Sequence, residues 1–349
     1  MADFSKTKVA IIGYGAMGGY HADRIKSIAS LEVAGIFDID ADRNAAAAKA
    51  GLRVFGSANE VAGNADGVIL SVPNDLHKPY TESFVKAGLG VMVEKPAALN
   101  SAEFASMVNT ADKYKAPFTV FQNRRHDTDY LTVREIIRQN ILGGVYRVES
   151  RVVGGNGIPG GWRKVKAQGG GMMSDWGVHL IDQLLLLTDS PVVSIICKYY
   201  YVTGFKVEDG FWLELEFANG LTARVVVETN TFVPAPRWRV YGYNGTAQIK
   251  SWGLDGEIVI PKSDGTEPAG MSAGNGFTRT MAYKQPNEVV SKPLPAVTVD
   301  NDAPYNNFAA MIKKGAAPIV KNGEVMRVLK VMEAAELSAK KGEAVRGKM

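Results

Sequence analysis

An apolar run, LGVMVE, ends on a charged pair and a proline in the stretch Val93-Glu94-Lys95-Pro96. A lysine ammonium at the end of a buried strand is costly without a partner, so Lys95 in that place points to work on a substrate. A second group lies farther on. In GGGMMSDWGVHLIDQLLLL, Asp175, His179 and Asp182 recur at i, i+4 and i+7 and fall on one face of a helix, with LIDQLLLL supplying its core-facing residues. The ordinary pKa of His179 lies near working pH, so it suits removal of a hydroxyl proton, with a carboxylate neighbour to tune and orient it. A lone helical histidine is more often structural. Asp/His/Asp lacks the H-E-x-x-H spacing or cysteine partner of a metal site, so no metal is expected.

Near the start, VAIIGYGAMGGYHADRI sets Gly13, Gly15 and Gly18 in a G-x-G-x-x-G spacing around Ala16 and Met17. The first glycine suits a tight turn, the second a backbone approaching a pyrophosphate, and the third close packing of strand and helix. Asp38 follows at the end of the next strand, where a carboxylate accepts from a ribose 2′-OH and repels a 2′-phosphate. NAD is therefore preferred to NADP, with Arg43 as the counter-indication. Asp38 as a helix cap is the competing role, and Asp40 fills that more naturally. In SVPNDLHKPY, Val72, Pro73 and Asn74 follow a strand on the edge where such sheets bind ligands. His77 is equally a helix-start residue or a ligand contact. Glu94, Lys95 and Pro96 follow a strand on the same edge, which places Lys95 beside a nicotinamide.

These groups need elements to hold them. Over residues 1–121 the runs KVAIIG, EVAGIFD, LRVFG, DGVILSV, LGVMVE and PFTVFQ alternate with helical patterns. Apolar strands alternating with helices predict a parallel sheet covered on both faces, a dinucleotide-binding domain of α/β class. In this reading SVPND follows the fourth strand and VEKP the fifth. Residues 122–349 read as an α+β domain for substrate binding and oligomerisation, with a helix (DYLTVREIIRQN), a strand (VYRVESRVV), a Gly-rich loop (154–171) and a helix beginning near Met173. Period-2 segments such as FWLELEF and TARVVVET then predict a mostly antiparallel open sheet. Its exposed face predicts a homo-oligomer, dimer or tetramer. Residues 262–291 are polar and rich in Gly, Ser and Pro, a long excursion rather than a third domain. Two helices near Tyr305–Lys314 and Gly323–Lys341 close the chain and are expected to pack back on the first domain.

Bulk properties exclude several classes. The 349 residues suffice for two domains, and 46% hydrophobic with 22% charged residues is a globular composition. Forty basic against 36 acidic residues give +4, too small and scattered for a nucleic acid or membrane surface. No run suits a transmembrane helix or signal peptide, so a cytoplasmic location is expected. The single cysteine, Cys197, sits in an apolar strand and reads as a buried thiol.

Taken together, G-x-G-x-x-G with Asp38, VPN, EKP and DWGVHLID resemble the glucose-fructose oxidoreductase, inositol dehydrogenase and rhizopine-catabolism (Gfo/Idh/MocA) family over nearly the whole chain. That resemblance implies a Rossmann domain, a catalytic group of Lys95, Asp175 and His179, and a cis Lys95–Pro96 bond. FQNRRHDTDY, residues 121–130, resembles the family's domain junction, and GIPGGWR is similar to members acting on glycosides or polyols. The implied reaction passes hydride between a secondary hydroxyl of a sugar, glycoside or cyclitol, the 3-OH of a glucoside among them, and nicotinamide. Arg124, Trp162, Arg163, Arg237 and Trp238 are candidates for stacking on and hydrogen-bonding the carbohydrate, or equally for packing. Two alternatives stand beside the dehydrogenase: a glycoside-cleaving enzyme that oxidises, eliminates and re-reduces with NAD retained, and a non-catalytic dinucleotide-binding regulator.

Overall fold

The computed structural model describes residues 6–262, 271–275, 277–279 and 283–349. Its first sheet holds β1 (Thr7–Ile12), β2 (Leu31–Phe37), β3 (Gly67–Leu70), β4 (Gly90–Val93) and β5 (Phe118–Val120), all parallel, in the order β2-β1-β3-β4-β5. Alternate residues of β1 point to opposite faces, and both faces are apolar. Ala10 and Ile12 join Phe84 of α3 (His77–Lys86) and Phe104 of α4 (Ser101–Tyr114), while Val9 and Ile11 join Ile25 of α1 (Ala16–Ile25) and Ala47 of α2 (Ala41–Lys49). This double cover makes the strands apolar throughout rather than alternating.

One expected strand is absent from the sheet. LRVFG makes a single parallel bridge, Val54 to Ile36, with Phe55 buried behind it. The run is apolar because it plugs the sheet edge as a loop, and an apolar run alone does not separate the two cases. SVPND therefore follows the third strand and VEKP the fourth, still on one edge.

The second sheet has nine strands. After α5 (Thr128–Arg138) come β6 (Val145–Val153), α6 (Val178–Leu185), β7 (Val192–Tyr200), β8 (Gly210–Phe217), β9 (Thr222–Glu228), β10 (Trp238–Gly242), β11 (Gly245–Ile249) and β12 (Gly256–Pro261). A separate pair, β13 (Met271–Gly274) with β14 (Phe277–Arg279), precedes β15 (Val289–Lys292). The excursion thus returns as an edge strand, β15 pairing with β12. The order is β15-β12-β11-β10-β6-β9-β8-β7-β16, where β16 is Val345–Arg346, and only β6–β9 is parallel. One face buries Phe211, Leu213, Val225 and Val240 against α5, α6 and α8 (Asn322–Lys341). The other face carries polar pairs such as Arg224–Glu214 and Arg239–Gln248.

Both C-terminal helices reach the first sheet. α7 (Ala303–Lys314) buries Tyr305 and Phe308 beside Val9 and Ile11, and α8 sets Val325 and Leu329 beside Val93 and Val120 while its other side meets the second sheet. Cys197 is buried in β7, where burial pushes its thiol up to about 12. No helix of the described residues is long and apolar enough to cross a membrane.

Candidate active site

The glycine loop lies at the carboxyl end of β1. Gly13 has φ +89°, and a Cβ there would sit 2.5 Å from the Ser71 carbonyl; one on Gly18 would sit 2.0 Å from the Gly13 carbonyl. At Gly15 the nearest atom is Arg43 Nη1, 3.6 Å away. The turn is closed where strand meets helix and open at its second glycine. α1 begins at Ala16 with no side-chain cap and no acidic residue in its first turn, so its positive end is uncompensated beside Met17 and Gly18. A pyrophosphate fits that cradle. Asp38 closes it from β2, its carboxylate accepting from Tyr14 N at 2.6 Å and Asp40 N at 2.9 Å, with Arg43 Nη1 at 3.4 Å. Asp40 caps α2 through Asp42 N.

On the same edge, Val72, Pro73 and Asn74 run from β3 toward α3, and Asn74 Nδ2 donates to the Gly169 carbonyl at 3.2 Å, tying the Gly-rich loop to the first sheet. Two expected cofactor contacts are turned inward. His77 is fully buried, its ring nitrogens 2.9 Å from the Pro96 carbonyl and 3.0 Å from that of Val72, and burial lowers its pKa. Glu94 takes His21 Nε2 at 3.0 Å and Lys95 N at 3.1 Å, while His21 Nδ1 meets the Tyr305 hydroxyl at 2.7 Å. Both side chains thus bond within the protein along the Val72–Pro96 edge. The Lys95–Pro96 bond is cis.

Lys95 crosses to the second domain. Its Nζ donates to the Asp175 carbonyl at 3.0 Å and to Oδ1 at 3.3 Å, and Arg163 Nε donates to Oδ2 at 2.8 Å. Burial lowers the Lys95 pKa against the pull of Asp175 and Glu94. Burial also works to raise Asp175, but Lys95 and Arg163 outweigh it and its carboxyl lies below the usual range.

Asp175 lies in a π turn, Met173–Gly177, that leads into α6. The wider turn is one reason the expected common face fails. Asp182 points to Arg125, which grips it bidentately at 2.6 and 2.8 Å, and takes no part with Lys95. His179 is buried near Lys95, and its Nδ1 has no hydrogen-bond partner among the described residues. Its expected carboxylate orienter is absent among them; the charges acting on it are Lys95, Arg124 and Arg237, which together with burial hold its pKa well below the ordinary value. The imidazole is neutral.

The aromatic candidates divide. Trp162 is half-buried under the Arg163 guanidinium, 4.8 Å from ring to charge, and Arg124 stacks on Trp176 at 4.3 Å. Trp238 is fully buried and donates from Nε1 to Asp129 at 2.8 Å, so it is core. Arg237, 3% exposed, pairs with Asp129 and donates to Ser150 Oγ; burial brings it down to about 10. It acts on His179 as a charge. Trp176 and Trp252 went unnamed in the sequence reading. Trp176 packs edge-on to His179 at 6.1 Å, and Arg124 lies against both indoles. Trp176 stands between Asp175 and His179 in the chain, a signal that was available; Trp252 had none.

The chain matches known proteins in sequence and in fold. Residues 7–122 match the model described as an oxidoreductase family with an NAD-binding Rossmann fold, and residues 130–248 match the GFO/IDH/MocA C-terminal domain. An NADP⁺-dependent scyllo-inositol 2-dehydrogenase of Bacillus subtilis is 25% identical over 80% of this chain and 78% of its own. The D-glucoside 3-dehydrogenase of Escherichia coli is 26% identical over 62% of this chain and 68% of its own. A solved NAD-binding protein from Listeria innocua superposes with a TM-score of 0.94 at 41% identity, over 98% of this chain and all of that one.

Proposed function

Because the chain belongs to the Gfo/Idh/MocA family of oxidoreductases, we propose that it is a dehydrogenase of a secondary hydroxyl on a sugar, glycoside or cyclitol, using NAD in preference to NADP. The observation that carries this reading is the Lys95 ammonium held by Asp175 beside a neutral His179 whose Nδ1 has no hydrogen-bond partner among the described residues. The relatives named for scyllo-inositol and D-glucoside oxidation support the substrate class.

In this mechanism a bound nicotinamide supplies the hydride acceptor or donor at the carbon. Gly13, Gly15, Ala16, Met17 and Gly18 would hold its pyrophosphate on backbone N–H groups, and Asp38 would take the adenosine ribose. Lys95 has three donors and gives two to residue 175, which leaves one for the reacting oxygen. His179 receives the hydroxyl proton. Its lowered basicity gives it little thermodynamic pull, so the larger share of stabilisation falls to the Lys95 charge on the developing alkoxide. Asp175 fixes Lys95, Arg163 and Trp162 form one wall, and Arg124 with Trp176 another, suited to a hydroxylated ring. Exposed Tyr146 and Tyr243, 5.5 Å apart on the open side of the second sheet, support assembly into a homo-oligomer through that face.

The test is absorbance at 340 nm with enzyme and NAD at comparable concentrations, across inositols, glucose and alkyl or aryl glucosides, with NADP in parallel. Reduction with one class, abolished in Lys95→Ala while nucleotide still binds, is the expected result. No reduction of either cofactor by any of them would sink the assignment in the oxidative direction.

A further inference from the structure

The π turn has no cap from its own N-terminal residue. The anchor comes from elsewhere in the chain, from the loop between β7 and β8. Glu208 is 8% exposed; its Oε1 accepts from Met173 N at 2.9 Å, and its backbone carbonyl accepts from Met172 N at 3.1 Å. Gly171, at φ +111°, passes so close that a Cβ would sit 2.2 and 2.4 Å from the two carboxylate oxygens. Only glycine admits the carboxylate there. The loop itself is pinned by the next residue, since Asp209 takes Thr203 N and Oγ1 at 2.5 and 2.7 Å.

The turn so held is the one that holds Lys95. Both acceptors of the Lys95 ammonium, carbonyl and carboxylate, belong to residue 175, and Asp175 N itself donates to the Gly171 carbonyl at 3.1 Å. A shift of this turn moves both acceptors at once. We propose that Glu208 is a positioning residue for the reaction: its carboxylate clamps the first N–H of the π turn and thereby sets where Asp175 holds Lys95, although Glu208 touches neither. This rests on the role given to Lys95 above.

A carboxylate at that N–H makes a charge-assisted bond, and protonation leaves a neutral one. Burial, with Glu336 of α8, raises the Glu208 carboxyl to about 7, against Lys166 of the Gly-rich loop. Lys198, Tyr199, Tyr201, Lys206, Glu333 and Lys340 line with it a cavity of about 380 Å³ on the side of the turn that Met173 and Ser174 face, and the Cys197 thiol also feels its charge. Burial and nearby cations hold the His179 transition lower, and burial also lowers that of Lys95, so loss of the step in a Glu208 variant is what assigns it to Glu208.

The experiment measures kcat and KM against pH for the wild type, Glu208→Ala and Glu208→Gln, together with the rate at which an amine-reactive acylating reagent labels Lys95, read by peptide mass spectrometry. In the wild type kcat is expected to fall about fivefold as pH drops through 7, the difference between charge-assisted and neutral bonding. Both variants should lose that step, with KM for NAD unchanged, kcat lowest in Glu208→Ala, and Lys95 labelled faster than in the wild type. If Glu208→Ala does not fold, Glu208→Gln is read alone by the step and the labelling. Variants that keep the step, with kcat within about twofold of wild type, overturn the proposal. If the wild type turns over no carbohydrate, the dehydrogenase reading fails, and labelling alone decides: faster modification upholds the clamp, and an unchanged rate overturns it.

Discussion

Two carboxylates on one continuous helical stretch meet cations in opposite ways. Asp182 receives the planar fork of Arg125 at 2.6 and 2.8 Å, and Arg125 turns its remaining nitrogen to Glu324 at 2.6 Å. Every strong donor in that cluster has an acceptor within the protein, and burial still raises Asp182 despite the guanidinium. Asp175 meets an ammonium with one N–H left over, beside a histidine nitrogen with no partner among the described residues. A guanidinium fork saturates a carboxylate; an ammonium on a flexible stem does not. Unused capacity, rather than the mere presence of buried charge, separates the reactive cluster from the structural one.

Asparagine at each position tests this directly. Asp175→Asn should lower kcat by ~10²–10³-fold, the range for losing one preorganised charge at a reacting oxygen. Asp182→Asn should instead cost about 3 kcal/mol of stability, because it leaves Arg125 buried with a weaker partner, while kcat per folded enzyme stays within about twofold. Denaturant midpoints and steady-state rates separate the two. Equal losses of kcat would erase the distinction.

The clamp on the reactive side leaves a mark on stability as well. The folded-state pKa of Glu208, about 7, lies above its ordinary 4.5, so between those values the folded protein holds a proton that the unfolded chain has released. Its contribution is fully present below pH 4.5 and is lost as pH rises through 7. The loss is roughly 3 kcal/mol, and Glu208→Gln should remove that slope from chemical unfolding measured between pH 5 and 8. An unchanged slope would mean that the carboxylate is solvated like an ordinary surface group. Asp182, also raised, contributes in the same direction in both proteins and cancels from the difference.

The two sides of the cleft were unequally legible in sequence. The glycine loop, Asp38 and Lys95 each stand at the end of a strand of the first sheet, where local spacing indicates the backbone position, although the Lys95 side chain is held from the second domain by Asp175. The second side depends on distant partners. Nothing local indicates that Trp238 gives its N–H to Asp129, that Glu208 caps Met173, or that the turn at Asp175 is π-helical. His77 and Glu94 stand correctly on the ligand edge, yet their side chains are used to build it. LRVFG failed for another reason: apolar composition reports burial and leaves strand pairing open.

On the well-read side, Asp38 and Arg43 make opposite demands on the ribose. The carboxylate is held in place by two backbone N–H groups, while Arg43 is half-exposed and reaches it only at 3.4 Å. The fixed group should prevail, giving NADH about tenfold tighter binding than NADPH, or ~1.4 kcal/mol. Asp38→Ser should bring the two toward parity in fluorescence titration. Tighter NADPH binding in the wild type, reversed by Arg43→Ala, would assign the choice to the arginine instead.

The smallest effect concerns the neutral state of His179. Burial is its first cause, and Lys95, Arg124 and Arg237 add to it in that order. Of the three, Lys95 is wanted for the chemistry and Arg237 is tied into the core by Asp129 and Ser150, so neither can be removed cleanly. Arg124 is half-buried, stacked on Trp176 and paired with Asp127, which makes it the charge that can be deleted with least collapse. In a Glu208→Gln background, where the step near neutrality is gone, the acid limb of kcat/KM should report His179. Arg124→Met should move that limb upward, since losing a nearby cation eases protonation. A limb that stays in place or moves downward would assign it to a group other than His179, and the proton of the hydroxyl would then leave by another route.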